Sequence, residues 1–261
     1  MKDKPLGIVY LVGAGPGDPE LLTVKALRLI SQCDALVYDA LVPNEMLELV
    51  KKDCKCIFVG KRRGHHSTSQ SKTNALLLDL ARDFTSVVRL KGGDPFMFGR
   101  GGEEAAYLHK HGLSVQVVPG ITSGTAAAAY FGIPLTHRLA GSSVTFVTGH
   151  EGISKQGLSV NWQGLAQSGN SLVIYMGVHN LNYIVNQLLT AGCSPKTPSA
   201  VIQQATVIGQ RCLKTSLDRL VQDAEIKQFI SPSIIIIGEI VNFQIESSAP
   251  PVANVTMPIS F

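Results

Sequence analysis

The first half of the chain alternates short apolar runs with segments of helical periodicity. Apolar runs at 7–12, 35–38, 56–59, 86–90 and 114–118 predict buried strands, each followed by glycine or polar residues. Helices are expected between them, at 21–32 with Thr23 as a possible N-cap, 44–51, 73–82, 103–111 and 125–131. Strands that alternate with helices predict a mostly parallel sheet covered on both faces.

A break in this pattern divides the chain near Leu139. Residues 134–143 combine proline, glycine and polar side chains, which is typical of a linker. Beyond it, strands are expected at 144–148, 171–176, 199–203 and 233–240, and helices at 179–191 and 216–224. We therefore predict an α/β fold of two lobes, 1–138 and 139–246, and an irregular tail, 247–261, with three prolines and no periodicity.

Composition narrows the class of protein. The 261 residues are 45% hydrophobic and 16% charged, with a net charge of +4, and Lys and Arg are scattered apart from Lys61–Arg63, so a nucleic-acid binder is not indicated. The longest apolar run, 234–237, fits a strand rather than a membrane span, and the N-terminus lacks a signal-peptide pattern. A cytoplasmic protein is expected. The odd count of five cysteines argues against a disulfide framework.

The stretch Leu90–Glu104 carries the strongest chemical signal. It follows a buried strand and is rich in glycine and charged residues. The Gly92–Gly93 pair lets backbone groups approach a ligand without a Cβ, while 96–98 adds an apolar wall beside Arg100 and Glu103. An apolar pocket with a few polar groups is what a small-molecule site requires. The alternative is a structural turn between a strand and a helix.

The glycine loop at 13–18 leaves the ligand class open. After a strand it is similar to half of a dinucleotide fingerprint, and Asp39 ends a second strand where a ribose-binding acid belongs. However, Asp18 replaces the glycine that packs helix against strand, and Pro16 and Pro19 stiffen a loop that should wrap a pyrophosphate. An NAD-dependent oxidoreductase is therefore the rival function.

Five blocks together identify a family. The chain resembles the tetrapyrrole (class III) methyltransferases over about 7–240, through Val12–Pro19, Tyr38–Val42, Gly60–Gln70, Leu90–Glu104 and Val118–Ser123. The Gly60–Gln70 block favours the members that methylate uroporphyrinogen III. The resemblance implies two α/β lobes, a homodimer and S-adenosylmethionine bound in the cleft between the lobes. It also implies two successive methyl transfers to pyrrole carbons of uroporphyrinogen III, giving precorrin-2 through precorrin-1, the branch point to sirohaem and cobalamin.

The resemblance also carries over site residues. It implies cofactor contacts at Pro16, Gly92, Gly93, Asp94, Met97, Thr122, Ser123, Met176, Ala205 and Ser233. Asp39 is the first candidate for the base that takes the proton leaving the methylated pyrrole, and Lys61 for a proton donor or substrate anchor. Arg100 and Glu103 are expected at the substrate. Structural roles remain open for each: a loop cap, a solvated charge, and an ion pair opening a helix.

Uroporphyrinogen III, the substrate that the resemblance implies, bears eight carboxylates, which basic residues could bind. Arg62, His65, His66, Arg138 and His150, with Lys61, Arg63 and Arg100, are candidates to surround it. No metal is predicted, since neighbours such as His65 and His66 point in opposite directions on an extended chain. The chain departs from the family pattern at 139–143 and 71–73. The alternatives within this reading are a methyltransferase of a later precorrin and a tetrapyrrole carrier without turnover.

Overall fold

The structure of the chain, a computed structural model, describes residues 5–60, 69–150 and 160–243. Its contacts divide it into two units, with the division between Thr122 and Ser123. The sequence placed this division near Leu139. The structure places it earlier because the helix Ser123–Tyr130 packs on strands of the second unit, where the Gly124 N–H donates to the Tyr175 hydroxyl at 2.9 Å. The predicted tail lies outside the described residues.

The first unit contains a five-stranded parallel sheet, as predicted. Its strands are β1 (Ile8–Gly13), β2 (Ala35–Tyr38), β3 (Lys55–Phe58), β4 (Ser86–Lys91) and β5 (Val115–Val118), in the order β3-β2-β4-β1-β5. The helices are α1 (Val24–Gln32), α2 (Gln70–Asp83) and α3 (Gly101–Lys110). Every pairing is parallel. The carboxyl ends of all five strands therefore lie at one edge of the sheet.

Alternation along the strands explains the two cores of this unit. Val9 and Leu11 face a core that includes residues of α2 and α3, whereas Val12 faces a second core that includes residues of α1. Successive side chains of a strand point to opposite faces, so an almost wholly apolar strand requires cover on both. α1 begins where predicted, because the Thr23 hydroxyl accepts the Ala26 N–H at 3.1 Å as an N-cap.

The second unit has a mixed sheet. Its strands are β6 (Val144–Thr148), β7 (Ser171–Tyr175), β8 (Pro198–Gln203), β9 (Arg211–Ser216) and β10 (Ser233–Ile237), in the order β6-β7-β10-β8-β9. Only β6 and β7 pair in parallel; the other pairings are antiparallel. The helices are α4 (Ser123–Tyr130), α5 (Trp162–Gln167), α6 (Leu181–Thr190) and α7 (Leu220–Ile226). In the part of the chain that the structure describes, no helix combines the length and apolar character needed to cross a membrane.

Several predicted elements differ from those observed. β9 and α5 were not predicted, and the helix expected at 44–51 is the 3₁₀ helix Asn44–Leu49. Pro43 precedes that helix and makes no side-chain capping hydrogen bond, so an α-helical first turn lacks its usual support. The strand expected at 233–240 ends at Ile237, where Gly238 turns the chain into the 3₁₀ helix Glu239–Asn242.

Candidate active site

Four loops meet at the carboxyl edge of the first sheet. They follow β1 at Gly13, β2 at Asp39, β4 at Gly92 and β5 at Pro119. Ligands of parallel α/β sheets bind outside the carboxyl ends of the strands. Four of the predicted blocks, all except Gly60–Gln70, therefore lie at the edge where such a sheet binds a small molecule.

Glycines let three of these loops touch backbone to backbone. A Cβ on Gly120 would lie 2.3 Å from the Gly93 carbonyl oxygen and 2.8 Å from the Gly13 Cα. Gly15 and Gly93 form an isolated bridge, with N–H···O distances of 3.1 and 2.6 Å in the two directions, and both have left-handed φ, +72° and +68°. Only glycine permits this approach at Gly13 and Gly120. The loops after β1, β4 and β5 therefore form one connected backbone surface.

The Asp94 carboxylate fixes the loop after β4. Its Oδ1 accepts the N–H groups of Phe96 at 2.8 Å and Met97 at 3.1 Å, and its Oδ2 accepts the Gly120 N–H at 3.1 Å. Asp94 was predicted to be the acid that meets the cofactor. The structure shows that it turns its own loop and ties it to the loop after β5. Direct contact between Asp94 and the cofactor remains a prediction.

The glycine loop after β1 does not lead into a helix as a pyrophosphate loop does. Asp18 caps the 3₁₀ helix Pro19–Leu21, with its Oδ1 accepting the Glu20 N–H at 2.9 Å. α1 begins only at Val24. Phosphate binding at a helix N-terminus needs the loop and the first helical N–H groups to be continuous. This geometry disfavours the dinucleotide reading.

Asp39, the predicted base, lies just beyond β2 and keeps a side-chain exposure of 26%. Its Oδ1 accepts the Leu41 N–H at 3.2 Å, and its Oδ2 lies 3.3 Å from Arg89 Nη2. The Leu41 side chain reaches the next loop, since a Cβ on Gly92 would lie 2.7 Å from Leu41 Cβ. The carboxylate is thus fixed in direction beside the side-chain-free turn of β4.

Behind Asp39 lies a buried ionic network that sequence reasoning missed. Arg89 Nε is 3.3 Å from Glu104 Oε1, and Lys91 Nζ is 3.1 Å from Glu104 Oε2. The three side chains are only 6%, 5% and 0% exposed. Burial lowers the pKa of Lys91, an effect that Arg89 reinforces and Glu104 opposes. One signal was available: charges at alternate positions of an apolar strand point to one face, where they need a partner.

Arg100 and Glu103, expected at the substrate, form an exposed ion pair in the first turn of α3. Arg100 donates to both Glu103 oxygens, at 3.0 and 2.7 Å, with the side chains 55% and 58% exposed. The hydrogen bonds to Glu103 raise the pKa of Arg100, so its charge is secure. Arg100 is the N-cap residue and has a left-handed φ of +59°. The pairing expected as an alternative is therefore present, and it leaves the guanidinium accessible.

In the second unit, one sheet edge gathers residues predicted from separate blocks. Met176 follows β7 and Ala205 lies two residues beyond β8. His150 lies two residues beyond β6, whose Thr148 is in register with Tyr175 of β7. The first residue of β10, Ser233, is in register with Gln203 of β8. Their contact with cofactor or substrate stays a prediction.

Among the described residues, Arg138 does not join these groups. Arg138 lies in a turn closed by the His137–Gly141 bridge, just before β6, and so at the opposite end of that strand from His150. Thr122 and Ser123, both predicted cofactor contacts, are the last residue of the first unit and the first residue of the second. Lys61, Arg62, Arg63, His65 and His66 lie outside the described residues, although Gly60, just before them, touches the loop of Asp39: a Cβ there would lie 2.4 Å from the Ala40 nitrogen.

Comparison with known proteins decides the family. The family model of tetrapyrrole (corrin/porphyrin) methylases matches residues 8–221. The chain belongs to the tetrapyrrole methylases. The predicted resemblance and the two-lobed α/β fold are thereby confirmed, since solved tetrapyrrole methyltransferases share the fold.

Relatives within the tetrapyrrole methylases are close. The chain is 50% identical over 238 residues to a uroporphyrinogen-III C-methyltransferase of Synechocystis sp., covering 91% of this chain and 90% of that protein. It is 49% identical over 239 residues to a siroheme synthase of Pseudomonas aeruginosa, where it covers 91% of this chain but only 51% of the relative. The chain thus spans about half the length of that second protein.

One solved structure of a similar protein contains a bound ligand. The uroporphyrin-III C-methyltransferase of Thermus thermophilus, complexed with S-adenosylhomocysteine, superimposes with a TM-score of 0.77 at 39% identity, covering 90% of this chain and 99% of that one. In the present chain, the loops at the carboxyl edge of the first sheet carry few side chains, which leaves backbone groups accessible to such a ligand. Among the residues described here, no group of three His, Cys, Asp or Glu side chains is arranged to hold a metal ion.

Proposed function

We propose that this tetrapyrrole methylase transfers methyl groups from S-adenosylmethionine to two pyrrole carbons of uroporphyrinogen III, giving precorrin-2 through precorrin-1. The observation that carries the proposal is the contact of three glycine turns at the carboxyl edge of the first sheet, at Gly13, Gly93 and Gly120. It occurs in a chain that is 50% identical to a uroporphyrinogen-III C-methyltransferase.

The residues fit an S-adenosyl cofactor because the loops present backbone rather than side chains. When bound, the cofactor supplies an electrophilic methyl group on a sulfonium. The chain has to align that group with a pyrrole carbon and exclude water, which is catalysis by positioning. In the first unit, Pro16, Gly92, Gly93, Met97 and Thr122 would hold it, with Asp94 fixing the turn through the Phe96, Met97 and Gly120 amides.

Asp39 is proposed as the base. Attack by the pyrrole forms a carbon–carbon bond and breaks the sulfur–methyl bond, which leaves the ring cationic until a proton departs. Asp39 suits this step because its carboxylate is partly exposed and fixed by the Leu41 N–H and Arg89. Lys61 stays the candidate donor or anchor.

The substrate is proposed to meet the exposed basic groups. The Arg100 guanidinium, paired with Glu103 yet 55% exposed, can turn toward a substrate carboxylate at little cost, since exposed ion pairs are weak. Arg62, His65, His66, Arg138 and His150 remain the further candidates. Guanidinium groups bind carboxylates through two parallel hydrogen bonds, which gives orientation as well as charge.

The test is methyl transfer under anaerobic conditions, because the reduced substrate must be protected from oxidation. We expect incubation of the protein with uroporphyrinogen III and methyl-labelled cofactor to place two labels in each tetrapyrrole. Absence of label from the tetrapyrrole would end the proposal. Precorrin-2 offered as acceptor distinguishes a later precorrin methyltransferase, which would label it while leaving uroporphyrinogen III untouched.

Calorimetry separates the cofactor classes without relying on turnover. S-adenosylhomocysteine should bind and NAD should not, because the loop after β1 is joined to Gly93 and is not continuous with the N-terminus of α1. Tight NAD binding with no binding of S-adenosylhomocysteine would favour the oxidoreductase. A carrier would bind porphyrinogen without product, and Asp39→Asn would leave its behaviour unchanged.

We further propose that the protein is a cytoplasmic homodimer and that its product can enter both sirohaem and cobalamin synthesis. The family resemblance supports each of these points, and a relative named siroheme synthase supports the first branch. Light scattering after size exclusion tests the dimer, which predicts twice the 27.9 kDa chain mass. A monomer at micromolar concentration would contradict it.

A further inference from the structure

The buried charges of the first unit call for an explanation beyond stability. Glu104 has no exposed side-chain surface, and Arg89 and Lys91 are 6% and 5% exposed. Desolvating such groups costs several kcal/mol each, and well-packed apolar residues in their place are often as stable or more so. A cluster of this kind adds little to the free energy of unfolding. Its use has to be sought in what it holds in place.

The network is tied to three different elements. Glu104 stands in the first turn of α3 and Arg89 and Lys91 on β4, while Gln70 at the start of α2 donates to Glu104 Oε1 at 2.9 Å. The same Gln70 amide donates to Asn74 Oδ1 at 3.0 Å. The Glu104 carboxylate is thus held from α2 and from β4, so its position is fixed by the packing of the unit.

Arg89 connects the buried Glu104 to the partly exposed Asp39. Its Nη1 donates to the Leu90 carbonyl at 2.9 Å and to the Val37 carbonyl at 3.4 Å, and its Nε to Glu104 Oε1 at 3.3 Å. Its Nη2 is left to reach Asp39 Oδ2 at 3.3 Å. Asp39 is more exposed, at 26%, than Arg89, Lys91 or Glu104. The guanidinium therefore links a buried anchor to a carboxylate that solvent can reach.

We infer that Arg89 and Glu104 are positioning residues of the methyl-transfer reaction: Glu104 holds the Arg89 guanidinium, and Arg89 holds the Asp39 carboxylate in one orientation. The inference rests on the proposed function, in which Asp39 takes the proton. Lys91 places a second basic group 3.1 Å from the other oxygen of Glu104. Lysine in place of Arg89 keeps the charge but loses the planar fork, so it cannot face both carboxylates and the two carbonyls at once.

A double-mutant cycle with Arg89→Lys and Asp39→Asn tests this inference. We expect Arg89→Lys to slow single-turnover methyl transfer by about 10-fold to 100-fold, as displacement of a reacting group by about 1 Å does. The affinity for S-adenosylhomocysteine should stay within about twofold, because Arg89→Lys alters the orientation of the Asp39 carboxylate and not the cofactor-binding loops. In the Asp39→Asn background the same change should slow transfer no further, since residues that act through one group are not additive.

Two controls and one further test keep the outcome interpretable. Arg82→Lys makes the same change in an exposed ion pair with Asp79 on α2, and its rate should equal that of the wild type. Glu104→Asp and Glu104→Gln should follow Arg89→Lys in rate, with Asp retaining more activity than Gln. Thermal melts of every variant separate loss of orientation from loss of fold.

The results divide as follows. Equal slowing by Arg89→Lys in both backgrounds, or a wild-type rate for Arg89→Lys, overturns the inference while leaving the proposed function intact. A wild-type protein that transfers no methyl group overturns the proposed function instead. Crystal structures then decide the positioning claim without turnover: it requires the Asp39 carboxylate to change orientation in Arg89→Lys, and an unchanged carboxylate contradicts it.

Discussion

Replacing Gly120 by alanine tests the contact of the glycine turns. The added Cβ would lie 2.3 Å from the Gly93 oxygen and 2.8 Å from the Gly13 Cα. Carbon atoms in proteins prefer a separation of about 3.5 Å from such neighbours. The loops after β1 and β4 would therefore have to retreat by roughly 1 Å. Both neighbours are backbone atoms, so no side chain can rotate away to make room.

The expected magnitude follows from that displacement. Overpacking of this kind costs about 1–3 kcal/mol of stability. A shift of about 1 Å in the groups that orient a reactant can cost on the order of 100-fold in rate. The Gly120 N–H also donates to Asp94 Oδ2, so the same shift loosens the turn after β4. We therefore expect Gly120→Ala to lower the melting temperature and to weaken binding of S-adenosylhomocysteine at least 10-fold.

Gly102→Ala is the matched control. A Cβ at Gly102 meets no atom within 4 Å, and the residue lies in the first turn of α3. Alanine is favoured over glycine in a helix by about 1 kcal/mol, so this variant should be as stable as the wild type or more so, with unchanged affinity. The assay is titration calorimetry with S-adenosylhomocysteine beside a thermal melt. If Gly120→Ala binds as tightly as Gly102→Ala, the reasoning about the turns is wrong.

Three further predictions address single groups. Arg100→Gly should keep its melting temperature within about 3 °C, because removing the left-handed φ of a non-glycine residue gains about 1 kcal/mol and offsets the loss of an exposed ion pair. Its kcat/KM for uroporphyrinogen III should nevertheless fall about 10-fold to 100-fold, because a hydrogen bond to a charged group is lost. An unchanged kcat/KM would argue against a role for Arg100 at the substrate. In peptide mapping after thiol labelling, the exposed Cys56 should react in the native protein and the buried Cys33, whose pKa burial raises, only after denaturation; early labelling of Cys33 would contradict its burial. Burial lowers the pKa of Lys91 below 10.5, so the unfolded chain binds more protons than the folded one as the pH rises toward that value. The wild type should therefore gain stability relative to Lys91→Met over this pH range, as measured by urea titration. A difference in unfolding free energy that stays flat or falls with pH would refute the sign.

The parallel sheet of the first unit could be predicted because its strands are short apolar runs that stop abruptly at glycine or aspartate. β2 was predicted at its observed bounds, and Thr23 as the N-cap of α1. Such signals are local, and β1, β2 and β4 are mostly buried, so little else competes. β9 (Arg211–Ser216) was missed because it is polar and half-buried, with antiparallel pairing to β8 supplying the stability that its own residues do not.

The ionic network could not be predicted as a unit because its members lie far apart in the chain. Asp39, Arg89 and Glu104 are joined only when β2, β4 and α3 pack together. The sequence showed Arg89 within an apolar strand, and it was interpreted as part of that strand. Likewise, the three backbone partners of the Asp94 carboxylate were not foreseen, while its expected contact with a ligand remains a prediction. Tertiary contacts decide such roles.

Left-handed backbone conformations occur at or beside several of the predicted site residues in each unit. Six residues other than glycine have a left-handed φ in the described part of the chain: Phe98, Arg100, Met176, Gln204, Thr206 and Gln228. Phe98 and Arg100 fall in the Leu90–Glu104 block, Met176 is a predicted cofactor contact, and Gln204 and Thr206 flank Ala205, another predicted contact. Each costs on the order of 1–3 kcal/mol, and strain of this kind persists where function requires it. We therefore expect the geometry that these residues impose to have a use. Alignment of a methyl donor is such a use, because it depends on where backbone groups point.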